Sequence, residues 1–163
     1  MISQWIYNEQ EIKTIEDVKL INDEAWGFVY LLSLYDIETK DLKYQYIGKK
    51  NLYSVTSKTA TKKEMLIHPK SYFKRKKNKD GSIKYYTIVK KESNWKDYIS
   101  SNDFIKDNKD KFIIERQIIS IATEDCDLSY MEVKEIICGG AMENEIFLNA
   151  DVSIKRIGKI KNK

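Results

Sequence analysis

Two apolar runs that each carry tyrosine flank a polar joint. Trp26-Gly27-Phe28-Val29-Tyr30-Leu31-Leu32 lies on one side, Tyr44-Gln45-Tyr46-Ile47-Gly48 on the other, with Asp36-Ile37-Glu38-Thr39-Lys40-Asp41 between them. Both runs are aromatic, β-branched and aliphatic, so they read as two strands of a β-hairpin whose loop exceeds the tight two-residue type. Apolar residues are continuous from Phe28 to Leu32, which calls for a strand covered on both faces. The rest of the chain must therefore supply cover, mainly helices, on either side of a small central sheet. The second strand closes on a glycine and two lysines, Lys49 and Lys50. Paired strands hold tyrosine hydroxyls at fixed positions beside cations, an arrangement suited to gripping a phosphodiester.

A chain of 163 residues is long enough for one domain with one hydrophobic core. With 42% hydrophobic and 33% charged residues, its composition is that of a soluble globular protein. No apolar run reaches bilayer-spanning length and no signal-peptide pattern opens the chain, so no membrane partner is expected. Cys126 and Cys138 have no metal-ligand spacing with the single histidine and read as reduced thiols, which points to the cytoplasm. The net charge of +4 is unevenly divided. Residues 58–91 hold twelve Lys and Arg against Glu64 and Asp80, so this segment is +10 and the remainder −6. Such asymmetry points to a polyanionic partner.

The flanking elements follow from local pattern. Residues 1–24 form an N-terminal extension, with a short amphipathic helix opened by Thr14 as N-cap and Asp17 three residues on. Ile83 to Val89 has strand propensity, and Asp80-Gly81 suits a hairpin tip, so a basic insertion over about 55–92 contains a β-ribbon. Tyr72, Phe73, Tyr85 and Tyr86 interleave there with Lys62, Lys63, Lys74, Arg75, Lys76 and Lys77, a mixture suited to phosphates and sugars or bases. Ser93 opens an expected helix through Trp95, Tyr98 and Ile99, and the residues up to Asn102 and Asp103 cap another. Phe112 to Ile121 is a third strand and Leu128 to Ile137 a helix ended by Gly139-Gly140. Ala141 to Leu148 reads as a further helical turn, and 151–163 as a basic tail. The expected fold is thus α+β: a small, mainly antiparallel three-stranded sheet flanked by helices, the main domain spanning 25–150.

Phe28-Val29-Tyr30 followed by Tyr46-Ile47-Gly48 resembles the paired signature of the GIY-YIG nucleases, with Phe in place of the first glycine. The resemblance is closest to a phage-borne, homing-endonuclease-like branch with Tyr-Ile-Gly-Lys-Lys, a Ser-x-Trp-Lys-x-Tyr-x-Ser-Ser stretch (Ser93 to Ser101), a third strand of Phe-x-x-x-Arg type (Phe112 to Arg116) and a Leu-Ser-Tyr-x-Glu helix (Leu128 to Glu132). Phe147-Leu148-Asn149 looks like the element that brings a late asparagine. These matches keep their order over about three quarters of the chain.

The resemblance implies metal-dependent endonucleolytic cleavage of double-stranded DNA in a phage setting, for homing or against competitor DNA. It implies Mg²⁺ or Mn²⁺ held by Glu132. Tyr30 would activate or orient the attacking water, its pKa depressed by metal or cations, and Tyr46 would bond the phosphate or the same water. Many members carry an arginine after Tyr-Ile-Gly that has no aligned counterpart here, so Lys49 or Lys50 takes the cationic role. Asn149 would orient the site from the far side. Arg116, with the cations of the basic segment, would contact nucleic acid. The alternative is a catalytically weak or inactive DNA-binding module that uses the basic segment.

Overall fold

The computed structural model describes residues 1–149, which fall into two units: residues 1–52 with the chain from 94 onward, and residues 53–93. The basic tail expected at 151–163 lies outside the described residues. The fold is α+β, with a five-stranded mixed sheet in the larger unit and a three-stranded antiparallel sheet in the smaller.

In the larger unit the expected hairpin forms from Gly27–Asp36 and Leu42–Asn51, paired antiparallel along nearly their whole length. Asp36 shapes the loop, its Oδ1 accepting from the backbone N–H groups of Glu38 and Thr39 at 2.9 and 3.0 Å. The third expected strand, Phe112–Ala122, lies antiparallel on the other side of Gly27–Asp36. Its register slips between Val29 and Tyr30, so Ile119 is an extra residue opposite the start of Tyr30's segment. Such a bulge re-aims nearby side chains.

Two strands precede all of these, correcting both the three-stranded sheet and the purely helical extension at 1–24. Ile2–Tyr7 runs parallel to Phe112–Ala122, and Gln10–Ile12 folds back antiparallel on it through Asn8 and Glu9, both at positive φ. In chain order the strands are β1 (Ile2–Tyr7), β2 (Gln10–Ile12), β3 (Gly27–Asp36) and β4 (Leu42–Asn51). Those of the smaller unit are β5 (Tyr53–Thr59), β6 (Lys74–Lys77) and β7 (Ile83–Glu92), and Phe112–Ala122 is β8. The large sheet has the order β2-β1-β8-β3-β4, leaving β4 at an edge. The expected N-terminal helix follows β2 as α1 (Ile15–Ile21), capped by Thr14 and Asp17 as their spacing requires.

The continuous apolar run of β3 has the double cover it calls for. On one face, Val29 and Ile47 pack with Leu128 and Ile136 of a helix spanning Asp125–Cys138, which starts three residues before its expected position. On the other face, Phe28 and Tyr30 meet Trp5 edge-on at 5.0 and 5.4 Å between ring centroids, and Trp95 lies 6.1 Å from Phe28. A short helix at Asp103–Asn108, N-capped by Asn102, extends this second layer and places Phe104 against Tyr44.

No helix forms at residues 93–101, contrary to expectation, and Arg116 supplies the reason. Its Nε donates to the Ser3 carbonyl at 2.7 Å, and its Nη1 to the carbonyls of Lys96 and Tyr98 at 2.7 and 3.2 Å. Trp5 Nε1 takes the Trp95 carbonyl at 2.9 Å. Side chains from elsewhere thus satisfy the acceptors that a helix would have used. Arg116 is only 5% exposed and its guanidinium lies 4.7 Å over the Trp5 ring. It is a structural bolt, which corrects its assignment to nucleic-acid contact.

The smaller unit pairs its strands in the order β5-β7-β6, so the expected basic ribbon has a third strand and occupies 53–93 rather than 55–92. Its tip holds Gly81 at φ +82°, as Asp80-Gly81 suggests. A helix at Lys62–Ile67, capped by Thr61 and Glu64, joins β5 to the segment before β6.

Arg116→Ala should cost about 2–4 kcal/mol by stranding buried carbonyls. Arg116→Lys should recover little of it, because an ammonium lacks the planar fork. Urea unfolding midpoints check both.

Candidate active site

Side-chain alternation along β4 sends Tyr46, Gly48 and Lys50 to the aromatic face, and Ile47 and Lys49 to the face covered by the Asp125–Cys138 helix. Tyr30 sits opposite Gly48 in register. The approach is so close that a Cβ on residue 48 would stand 2.5 Å from the Tyr30 hydroxyl oxygen, 2.7 Å from its Cζ and 2.8 Å from Tyr46 Cε1. Only glycine admits this arrangement. Tyr30 is consequently buried, with the rings of Tyr46 and Tyr98 at 6.3 and 6.1 Å.

A polar network surrounds the two hydroxyls. Tyr30 hydrogen-bonds with Tyr98 and Ser100, and Tyr46 with Ser101 and Ser100. Buried Ser100 is fixed by accepting from Asn102 N–H at 3.0 Å. Lys50 Nζ donates to Asn94 Oδ1 at 2.7 Å and lies 4.0 Å from the centre of the Tyr98 ring. Burial lowers the Lys50 pKa below the usual lysine value.

Across the sheet, Lys49 Nζ donates to Glu132 Oε2 at 2.9 Å and to Ser129 Oγ at 3.0 Å. Ser129 and Glu132 are three apart on the helix and so share a face. The Glu132 side chain is 20% exposed and that of Lys49 35%. Because β4 is an edge strand, groups from the two faces meet around it. Burial, with the Glu132 carboxylate adding to it, raises the Tyr46 hydroxyl above the usual tyrosine range.

Asn149 closes that edge. Gln45 N–H donates to the Ile146 carbonyl and Leu148 N–H to the Gln45 carbonyl, both at 2.8 Å. The Asn149 side chain then continues the ladder. Its Oδ1 accepts from Ile47 N–H at 3.0 Å and its Nδ2 donates to the Ile47 carbonyl at 2.8 Å. The amide mimics one more backbone residue and clamps β4 between Tyr46 and Gly48. The helical turn expected at 141–148 is replaced by turns leading into this pairing.

Tyr30, Tyr46, Lys49, Lys50, Glu132 and Asn149 are thus gathered on or beside one edge of the large unit. Lys62, Lys63, Lys74, Arg75, Lys76 and Lys77 are exposed in the small unit. Sequence reasoning did not single out Asn94, Ser100, Ser101 or Ser129. The first three lie in or beside the Ser93–Ser101 stretch that carried the resemblance, and an orienting role was open to them there. The Tyr30 hydroxyl is buried, and desolvation together with Tyr98 and Tyr46 raises its pKa well above the usual tyrosine value. Tyr46 is the half-buried tyrosine of the pair.

A hard divalent cation suits the Glu132 carboxylate, since Mg²⁺ keeps most of its waters and needs only one or two carboxylates. Among the described residues, Glu124, Cys126 and Asp127 also converge within 4.8 Å. There desolvation and the flanking carboxylates keep the Cys126 thiol protonated, which makes a poor ligand set.

This sheet, its paired tyrosine triplets and its helix-borne glutamate define a GIY-YIG nuclease. A family model described as "Putative endonuclease segE, GIY-YIG domain" matches residues 5–152, and the chain belongs to that family, a phage type of GIY-YIG endonuclease. No curated protein and no solved structure matches the chain. The chain is accordingly a DNA endonuclease, of a class that generally works with divalent metals. The match begins at Trp5 and runs through residues 53–93, so the end of β1 and the whole basic unit lie within the family's own domain.

A tyrosine pKa raised by folding stabilises the fold fully below the unfolded value of 10.0, and that contribution is lost as pH rises through the folded value. Denaturation midpoints should therefore fall above about pH 10. Tyr30→Phe should show a smaller fall over that range than the wild type.

Proposed function

We propose that this chain is a divalent-metal-dependent endonuclease that hydrolyses phosphodiester bonds of double-stranded DNA at the β4 edge. The observation that carries the reading is the Lys49–Glu132 pair, held at 2.9 Å, within electrostatic reach of the Tyr46 hydroxyl. Glu132 holds Mg²⁺ or Mn²⁺. When bound, that ion neutralises charge on the phosphate and the leaving oxygen and acidifies a water. Tyr46, protonated at neutral pH, donates to a phosphate oxygen or to the attacking water. Lys49 and Lys50 stabilise negative charge as the phosphorus becomes five-coordinate. Tyr30 and Asn149 are positioning residues: one sets Tyr46 through the shared serine network, the other holds the backbone between Tyr46 and Gly48.

Phosphate contacts come from the exposed cations Lys62, Lys63, Lys74, Arg75, Lys76 and Lys77. The biological role that fits the family is homing or cleavage of competitor DNA by a phage, in the cytoplasm of an infected bacterium. Supercoiled plasmid incubated with Mg²⁺ or Mn²⁺ tests the activity. Nicking is expected with either ion, abolished by EDTA, and reduced by about 10² or more in Glu132→Ala. Salt-sensitive DNA binding without cleavage by the wild type would leave only a DNA-binding module. Undiminished cleavage by Glu132→Ala would remove the carboxylate from the mechanism.

A further inference from the structure

The two faces of the small sheet are unlike. Cross-strand pairing puts Tyr85, Thr87 and Val89 of β7 on one face and Tyr86, Ile88 and Lys90 on the other. The first face is covered by the unit's own chain around Tyr85 and is open toward the tip, where Ile83 is 49% exposed beside Lys77. Phe73, only 6% exposed, meets the Tyr85 ring at 6.3 Å, and His68 stacks on Tyr72 beside it at 4.4 Å. The second face is open: Val55 and Ile88 are 47% and 44% exposed along its centre.

Around that centre stand Lys74 and Lys76 on β6 and Lys84 and Lys90 on β7, with Glu92 the one acid in these strands on that face. Lys76 and Lys84 are direct cross-strand partners. Like charges in that position cost stability, and neither lysine has an ion-pair partner among the described residues. A groove of 380 Å³ lined by Ser57, Lys74, Arg75, Lys76 and Tyr86 runs over the same face. The whole unit carries twelve Lys and Arg against Glu64, Asp80 and Glu92. An open face with Lys74, Lys76 and Lys84 around a partly apolar centre is complementary to a polyanion that also offers apolar and polar edges.

We propose that this open face docks duplex DNA by seating in its major groove. Three strands at about 4.8 Å spacing span about 10 Å between the outer two, against a major groove about 12 Å wide. Lys74 and Lys76 on the outer strand β6 then lie toward the phosphates, while Lys84 and Tyr86 on the central strand β7 face the base edges. This rests on the DNA-cleaving reading and adds to it a dedicated docking surface inserted between β4 and β8.

Binding of a labelled 30-base-pair duplex is measured in EDTA over a range of salt concentrations with the full chain. A triple variant of the open face (Lys74→Thr, Lys76→Thr, Lys84→Thr) is compared with one of equal charge loss elsewhere in the unit (Lys58→Thr, Lys70→Thr, Lys91→Thr). Threonine keeps strand propensity. The open-face variant should bind about tenfold or more weakly, its log–log salt slope lowered by about 2–3, and the other should stay within about threefold of wild type. Netropsin, which fills the minor groove, should leave wild-type affinity unchanged. Equal losses in the two variants, displacement by netropsin, a loss confined to single strands, or no wild-type binding would each overturn the proposal. Face-dependent binding by a chain that never nicks plasmid would uphold the docking surface and sink the nuclease reading. Nicking with equally affected variants would do the reverse.

Discussion

The contact between the Tyr30 ring and Gly48 organises the β4 edge. A glycine inside a strand ordinarily weakens it by roughly 0.5–1 kcal/mol relative to alanine. Here its missing Cβ is the space into which Tyr30 folds, and a methyl group in that place would meet the hydroxyl oxygen at 2.5 Å. The buried ring in turn supports Trp5 on one side and Tyr46 and Tyr98 on the other. One small residue thus lets the aromatic core reach as far as half-buried Tyr46.

Edge position explains how groups from opposite faces come together. In a central strand, neighbours alternate to faces separated by the sheet, and Tyr46 would be insulated from a helix on the other side. At β4 the sheet ends. Tyr46 from the aromatic face and Glu132 from the helical face therefore come within electrostatic reach, and Glu132 adds to burial in raising the Tyr46 hydroxyl. An open edge is also a liability, since unpaired backbone groups invite other strands. Residues 146–149 remove part of it, and Asn149 completes the pairing with its side chain, which ties down the strand beside Tyr46 and Gly48.

What the sequence revealed and what it hid divide along a physical line. The hairpin, β8 and the Glu132 helix are encoded by residue type and local spacing, and each forms close to its expected limits. The parallel pairing of β1 with β8 joins residues more than a hundred positions apart, and no local signal announces it. Arg116 misled for the same reason: an arginine in a strand looks like a surface cation until the carbonyls it serves are brought in by distant chain. Residues 93–101 offer a capping serine and apolar residues Trp95, Tyr98 and Ile99 for one face, but mostly poor helix formers otherwise, and Trp5 and Arg116 capture their carbonyls. Tyr30 stands out in the sequence as a candidate, but its burial and raised pKa arise only in the assembled core.

The central claim is that Tyr46 and Glu132, mounted on opposite faces of the β4 edge, serve one reacting phosphate. Single-turnover cleavage of a labelled duplex by Tyr46→Phe, Glu132→Gln and the double variant tests it most directly. Each single change is expected to lower the rate by about 10²-fold, and the double change little further, because groups that act as a unit are not additive. Cleavage at the wild-type rate by Tyr46→Phe, or losses that multiply in the double variant, would contradict it.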